Sequence, residues 1–449
     1  MHHWSDKVKI LKYIVICISL FIIGCGQNGG GGEEMVCEGL GVSVKGRVSY
    51  EDRLYNRDGF TGDRVLRPVK YADIEVVRNV DNPTPEDILV SGSTDEKGEY
   101  CLTFTNPGRT EGVYMRVYAR TNNIYDPGLE KIRVVKFSDD SVYSVTSDTF
   151  DDSKASLIEV NISANVAFDP EIGIVRTGVA GPFNIIDVLE GASGYVRNIS
   201  KKRLPEELEL AVLWEEAKLF TQLSIHSWAT FFSRECGKFG QCIMLNGGDQ
   251  FGRGDHDEYD DDVMLHEYAH FIAHNLSRDD SPGGPHSLID NGVDIRLAWS
   301  EGWATFFSSA VRNRSSIVDT NFSDPPSNSI RLSYDIESGA CLPMCRKSNP
   351  SLVFDESVYS TNETAVSMVL WDILDQANEG HDLQFAGIEP IWKIMENYIP
   401  GLENSGVTIE RFWDGWIENN PTIDISSILE ERKIEFFEDI YEEDDSIDQ

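Results

Sequence analysis

Residues 260–274 read DDDVMLHEYAHFIAH and contain the pattern His-Glu-x-x-His, on which the interpretation of the rest of the chain depends. On a helix, residues i and i+4 lie on one face, so His266 and His270 point in the same direction one turn apart. Two imidazoles so placed can bind a single zinc ion, and Glu267 lies close enough to polarise a water molecule on that metal. The sequence therefore predicts a zinc site on this helix.

The helix predicted from about Val263 to Asn275 is apolar on every side apart from its histidines, so we expect it to be buried. Ionisable groups in a core are costly unless they are paired or bound to metal, which supports a functional site rather than a chance match. His274 continues the same face. Ligands at i, i+4 and i+8 would span about 12 Å, too far for one small cation, so His274 is interpreted as a supporting or core histidine.

A third ligand must come from elsewhere in the chain. A metzincin would have glycine and histidine where this chain has Ala273 and Leu276. Residues 298–307 read AWSEGWATFF and instead predict a second apolar helix with one carboxylate, Glu301, near its start. The alternative interpretation of Glu301 is an ordinary acidic residue in the first turn of a helix.

HEYAH followed by SEGWATFF resembles the gluzincin zinc metallopeptidases, and is most similar to the fungalysin and thermolysin types. In fungalysins, the stretches that correspond to these two are similar to HEYTH and GEGWSDFF. The resemblance implies that Glu301 is the third zinc ligand beside His266 and His270. It also implies that Glu267 assists zinc-bound water in attacking a peptide bond.

The chain departs from the family pattern at two positions. Thermolysin and fungalysin types have an aspartate four residues after the ligand glutamate, where this chain has Thr305. Loss of such a carboxylate typically costs about 10–100-fold in affinity or activity, unless the Thr305 hydroxyl replaces it. The family's oxyanion-stabilising histidine corresponds to Tyr359, which can donate the same hydrogen bond or pack in the core. Ser360-x-x-Glu363 matches a capping box, which gives Glu363 a structural explanation.

Other polar residues near the motif have two interpretations each. His286 lies in a long connection between the two helices. It is interpreted either as a substrate contact or as an exposed loop histidine. Asp260 to Asp262, at the end of the acidic run 255–262, are expected to cap the helix and complement its dipole, with calcium binding as the alternative. The chain has 39 Lys and Arg against 76 Asp and Glu, a net charge of −37, which disfavours nucleic-acid binding.

The N-terminal residues predict export. Lysines at 7, 9 and 12 precede the apolar run Ile14–Ile23, which is typical of a signal segment. Residues 22–25 read IIGC and resemble a bacterial lipobox. This implies a signal peptide over 1–24, a lipid on Cys25, a glycine-rich tether over 25–36, and attachment to the cell envelope. The alternative is an ordinary signal peptide or an uncleaved anchor.

Six further cysteines suit an oxidising compartment, and local pairing would join Cys37 to Cys101, Cys236 to Cys242 and Cys341 to Cys345. A four-thiolate zinc site formed by the last two pairs is the alternative.

Residues 37–167 alternate in the manner of strands and turns, and resemble a carboxypeptidase-regulatory-like β-sandwich. Helices are predicted from Phe183 and over Leu208–Leu219, and a short strand at Cys242–Asn246. The expected fold class is multidomain α+β: this β-sandwich, then a mainly helical zincin-like metallopeptidase domain over 168–437, and an acidic tail over 438–449.

The predicted function is an exported, lipid-anchored zinc peptidase with a peptide or protein substrate. The first alternative is a catalytically inactive, metallopeptidase-like surface binding or adhesion protein. The second is a carbohydrate-binding or surface-binding protein whose binding resides in the β-sandwich.

Overall fold

A computed structural model gives the structure of the protein. It describes residues 37, 39–107, 112–121, 131–169, 174–176, 178–201, 208–215, 230–247, 256–288, 292–320, 330–343, 360–376, 385–402 and 406–434. Helices and mixed sheets both occur in these residues, which confirms the predicted α+β class at that level. The predicted signal peptide, Cys25, the tether and the acidic tail lie outside the described residues.

The strands of the described residues are β1 (Val42–Asn56), β2 (Gly59–Pro68), β3 (Ala72–Arg78), β4 (Ile88–Ser93), β5 (Glu99–Phe104), β6 (Val113–Thr121), β7 (Lys131–Val135), β8 (Ser144–Thr146), β9 (Leu157–Glu159), β10 (Ile162–Ala164), β11 (Ala167–Asp169), β12 (Ile174–Arg176), β13 (Glu209–Leu213), β14 (Phe231–Ser233), β15 (Cys242–Met244), β16 (Ser316–Thr320), β17 (Ile330–Asp335) and β18 (Ala340–Pro343). Strand β6 shows why they form, because every second residue from Val113 to Thr121 is buried.

The helices of the described residues are α1 (Gly181–Ser200), α2 (Asp261–Leu276), α3 (Ile295–Arg312), α4 (Glu363–Leu374), α5 (Ile388–Lys393), α6 (Ile409–Asn419) and α7 (Ser426–Glu431). The helices predicted at Phe183 and around the HEYAH motif are confirmed by α1 and α2. Within the part of the chain that the structure describes, no helix is both long and apolar enough to cross a membrane.

One sheet leads to the predicted zinc site. Its strand order is β14-β15-β13-β7-β6-β3-β4, and β13 pairs in parallel with both β7 and β15. The helix predicted over Leu208–Leu219 is therefore wrong at Glu209–Leu213. The apolar run of β13 is buried between two parallel neighbours, which is the usual environment of such runs. Because β7 and β13 lie on opposite sides of residue 167, this sheet crosses the predicted domain boundary, and the division into domains stays a prediction.

Helices α3 and α4 approach closely at Gly302. A Cβ atom on Gly302 would lie 2.7 Å from the backbone oxygen of Glu363 and 2.5 Å from the Cβ of Val366. Both distances are shorter than van der Waals contact, so only glycine allows this crossing. Since Glu301 and Glu363 flank the contact, the crossing also sets the distance between their side chains.

The acidic run ties α2 to β16. The Asp262 carboxylate accepts a hydrogen bond from the backbone N–H of Val318 at 3.0 Å and forms an ion pair with Arg314. The Asp260 carboxylate accepts from the backbone N–H of Thr320 at 2.7 Å. Asp260 precedes the helix but makes no side-chain cap, so the expected capping is wrong for this residue. Its carboxylate bonds a strand N–H instead of the first turn of its own helix.

Two of the expected disulfides are present. Cys37 pairs with Cys101 and Cys236 with Cys242, with Cα–Cα distances of 5.4 and 5.9 Å. The second pairing excludes the alternative four-thiolate zinc site, since its first two sulfurs are bonded to each other. The pairing of Cys341 with Cys345 stays a prediction because Cys345 lies outside the described residues.

We expect Gly302→Ala to destabilise the protein by about 1–3 kcal/mol, because the added methyl group overpacks the α3–α4 crossing. The midpoint of urea unfolding measures this effect. The matched control is Gly191→Ala on α1, where nothing lies within 4 Å of the added Cβ. Gly191 is an exposed position within α1, and replacing glycine by alanine at such a position is expected to stabilise by about 0.5–1 kcal/mol. Equal midpoints for the two variants would contradict the close approach.

Candidate metal centre

The side chains of His266, His270 and Glu301 meet between α2 and α3. The Nε2 atoms of His266 and His270 are 3.3 Å apart. Glu301 Oε2 lies 3.0 Å from His266 Nε2 and 3.4 Å from His270 Nε2. The i, i+4 spacing on α2 turns both rings the same way, and the packing of α3 brings Glu301 to them. The arrangement places three potential metal ligands within one coordination sphere.

These distances fit a tetrahedral zinc ion. Zinc bonds to nitrogen and oxygen are about 2.0–2.2 Å, so tetrahedral ligand atoms lie roughly 3.3–3.5 Å apart. The observed separations of 3.0, 3.3 and 3.4 Å are close to that spacing. Two imidazoles and one carboxylate are also a usual donor set for zinc with one open position. His266, His270 and Glu301 therefore have the donors and the spacing for this metal.

Hydroxyl groups hold the far nitrogen of each histidine. Ser300 Oγ lies 3.2 Å from His270 Nδ1, and Thr305 Oγ1 lies 3.3 Å from His266 Nδ1. Such contacts fix the ring orientation and leave Nε2 to face the metal. Thr305 thus lies against a histidine of the cluster, where its hydroxyl can take the orienting role of the family's aspartate.

Glu267 is buried beside the cluster and faces strand β14. Its Oε2 accepts a hydrogen bond from the backbone N–H of Phe232 at 2.7 Å. Burial raises the pKa of Glu267, although His266 and His270 act in the opposite direction. A carboxylate with a raised pKa beside a metal site is suited to accept and return a proton.

His286 and Glu363 extend the cluster. His286 Nε2 lies 3.3 Å from Glu301 Oε2 and 3.7 Å from Glu363 Oε2. The sequence allows two interpretations of His286 and explains Glu363 as part of a capping box. That explanation is wrong, because α4 begins at Glu363 and Asn362 caps it by accepting from the backbone N–H of Ala365. No local signal could have indicated Glu363, since its partners come from a distant loop and helix.

The charges of these groups depend on one another. Burial opposes the charge of His270, but Glu301 raises its pKa to about 9. The hydrogen bond to Glu301 raises the pKa of His286 to about 10. Burial likewise opposes the charge of Glu301, yet the histidines hold its pKa well below the ordinary value. Without a cation, protonated imidazoles compensate this carboxylate, and a bound metal would take over that role.

The remaining predicted residues lie elsewhere. The His274 ring contacts Phe232, with 6.4 Å between ring centroids, which agrees with a supporting role. Tyr359 lies outside the described residues, so its role at the oxyanion stays a prediction. Oxygens of Asp257, Asp260 and Asp319 lie within 4.8 Å of one another, and calcium binding there stays a prediction.

Comparisons with known proteins give little further information. No family model matches the chain. An uncharacterized protein of Archaeoglobus fulgidus is 30% identical over 121 residues, which are 26% of this chain and 28% of that protein. The match thus spans less than a third of the relative. A 9R-lipoxygenase from Cyanothece is similar at 15% identity and a TM-score of 0.19, over 38% of this chain and 26% of that one. Similarity at that level supports no conclusion about fold or function.

We expect Thr305→Val to weaken zinc binding by about 10–100-fold, because it removes the hydroxyl that holds His266 Nδ1 and keeps the side-chain shape. Competition with a chromogenic zinc chelator measures the affinity. Thr305→Ser should retain most of it. The control is Ser309→Ala, which removes a buried hydroxyl from the same helix. That hydroxyl has no hydrogen-bond partner among the described residues, so the zinc affinity should be unchanged. Zinc affinity equal to wild type in Thr305→Val would contradict the orienting role.

Proposed function

We propose that the protein is a zinc metallopeptidase of the gluzincin type. The observation that carries the proposal is the convergence of His266 Nε2, His270 Nε2 and Glu301 Oε2 at separations of 3.0–3.4 Å. The buried carboxylate of Glu267 beside them supplies the base that hydrolysis requires. In the organisation that we propose, a β-sandwich region over 37–167 precedes a mainly helical catalytic region over 168–437, and the two share the sheet in which β7 pairs with β13.

The chemistry depends on one metal and one carboxylate. His266, His270 and Glu301 would hold zinc, which polarises the attacking water and the peptide carbonyl. Phe232 holds Oε2 of Glu267, so we assign Oε1 to take the proton from the attacking water. The same oxygen then returns the proton to the leaving amine. We retain Tyr359 as the proposed hydrogen-bond donor to the oxyanion.

An extended peptide is the substrate that the surroundings of Glu267 favour. Among the described residues, strand β14 is the edge strand of its sheet, and its residue Phe232 contacts the Glu267 carboxylate. Edge strands can bind an extended peptide through backbone hydrogen bonds. A substrate bound along β14 would therefore bring its own carbonyl groups close to the base.

We also propose that the protein is exported and attached to the cell envelope through lipid on Cys25. Two disulfides support an oxidising compartment, since disulfides are rare in proteins of the reducing cytosol. The net charge of −37 makes nucleic acid an unsuitable partner.

The alternative is a surface binding or adhesion protein that keeps the metal site without turnover. The observation that favours it is Thr305, a neutral residue at the position of the family's orienting aspartate. A neutral hydroxyl makes a weaker hydrogen bond to the histidine than a carboxylate does. The two functions differ in whether hydrolysis depends on Glu267.

We expect Glu267→Gln to lower the hydrolysis of a casein-type substrate by about 100- to 10,000-fold, because glutamine cannot accept the proton from the attacking water. Its zinc content, measured by plasma mass spectrometry, should equal that of the wild type because Glu267 is not a ligand. The matched control is Glu190→Gln, which neutralises a buried carboxylate on α1 that pairs with Arg197. The control should keep full activity, whereas zinc binding without any Glu267-dependent hydrolysis would favour the binding protein.

A further inference from the structure

A second group of ligands adjoins the predicted zinc site. His286, Glu301 and Glu363 each offer one atom to a cluster in which all three atoms lie within 4.8 Å of one another. The three residues come from the α2–α3 connection, from α3 and from α4. Imidazole with two carboxylates is a donor set for zinc and similar divalent transition metals.

The orientation of His286 is an independent observation. Its Nδ1 lies 3.0 Å from the backbone oxygen of Gly284, which can only accept a hydrogen bond, so Nδ1 carries the proton. A neutral ring then has its lone pair on Nε2, the atom that faces Glu301 and Glu363. Metal-binding histidines commonly donate their second ring N–H to such a carbonyl. His266 and His270 have a similar orientation, with a hydroxyl beside Nδ1 and with Nε2 directed at Glu301.

The charges around Glu301 are compatible with more than one cation. Glu267, Glu301 and Glu363 are all buried carboxylates, each at most 8% exposed. If the histidines are neutral, as metal ligands must be, these carboxylates carry three negative charges. Counting these residues alone, one divalent cation would bring the sum to −1. A second divalent cation next to Glu363 would bring the sum to +1, so these residues accommodate two cations as readily as one.

We propose that the chain binds a second divalent transition-metal ion through His286 and Glu363, with Glu301 shared between the two cations. In proteins with paired metals the ions lie about 3.5–4 Å apart, a distance that one bridging carboxylate can span. His266 and His270 are not in the second ligand group, so the first cation would have two histidines of its own and the second would have one, His286. His286 is about 30% exposed, which leaves the second position reachable from solvent.

The test counts zinc ions on the full chain. The protein is stripped with a chelator, dialysed against zinc, and analysed by plasma mass spectrometry. We expect His286→Ala and Glu363→Gln each to retain one equivalent less than the wild type. Glu190→Gln, the control for loss of a buried carboxylate, should match the wild type. His286 lies in a loop, so His286→Ala tests the site even where Glu363→Gln unfolds, and circular dichroism identifies that case.

The inference rests on the proposed zinc site through Glu301, but the two can fail separately. Loss of one equivalent in His270→Ala, with no loss in His286→Ala or in folded Glu363→Gln, overturns the second site and leaves the first. Two equivalents of zinc without Glu267-dependent hydrolysis support the second site and overturn the peptidase. No bound zinc in the wild type overturns both.

Discussion

The ionised carboxylate of Glu301 is the constraint on which the arrangement of the site depends. It is 8% exposed, and a carboxylate removed from water is costly unless positive charge and hydrogen bonds surround it. His266, His270 and His286 all direct Nε2 toward its Oε2, at 3.0–3.4 Å. The charge of Glu301 on α3 therefore holds two histidines from α2 and one from the connection between α2 and α3. A cation placed among them satisfies the same requirement more completely than protons on the histidines do.

This arrangement requires rigid helices, and separate contacts fix each of them. Gly302 sets the spacing of α3 and α4, because any side chain there would meet the backbone of Glu363. Ser308 Oγ donates to the backbone oxygen of Asp262 at 3.0 Å and ties α3 to the start of α2. The carboxylate of Asp262 holds β16. These contacts are made by backbone and buried groups, which have little freedom to move. The positions of His266, His270 and Glu301 are therefore fixed by the packing of the helices.

The sequence predicts those parts of the site that depend on short spacings. The i, i+4 periodicity of HEYAH, the apolar surroundings of Glu301 and the pairing of Cys236 with Cys242 are all visible within a few residues. The prediction of helix at β13 is wrong because its apolar run is explained only by β7 and β15, which are distant in sequence. The capping-box interpretation of Glu363 is wrong for a similar reason. Its neighbours His286 and Glu301 are brought to it by the α3–α4 crossing, which no local pattern encodes.

The choice between a peptidase and an inactive binding protein then turns on Glu267. A protein that only keeps its metal needs His266, His270 and Glu301 as ligands, and does not require Glu267 as one. Burial is the largest effect and raises the pKa of Glu267, while His266 and His270 lower it and the charge of Glu301 raises it; the net shift is upward, so the ionised form is held at a cost in stability. The single backbone hydrogen bond from Phe232 compensates only part of that cost. A costly group beside the proposed metal site is most simply explained by proton transfer, which supports the proposed peptidase even though this chain has Thr305 where gluzincins have an aspartate.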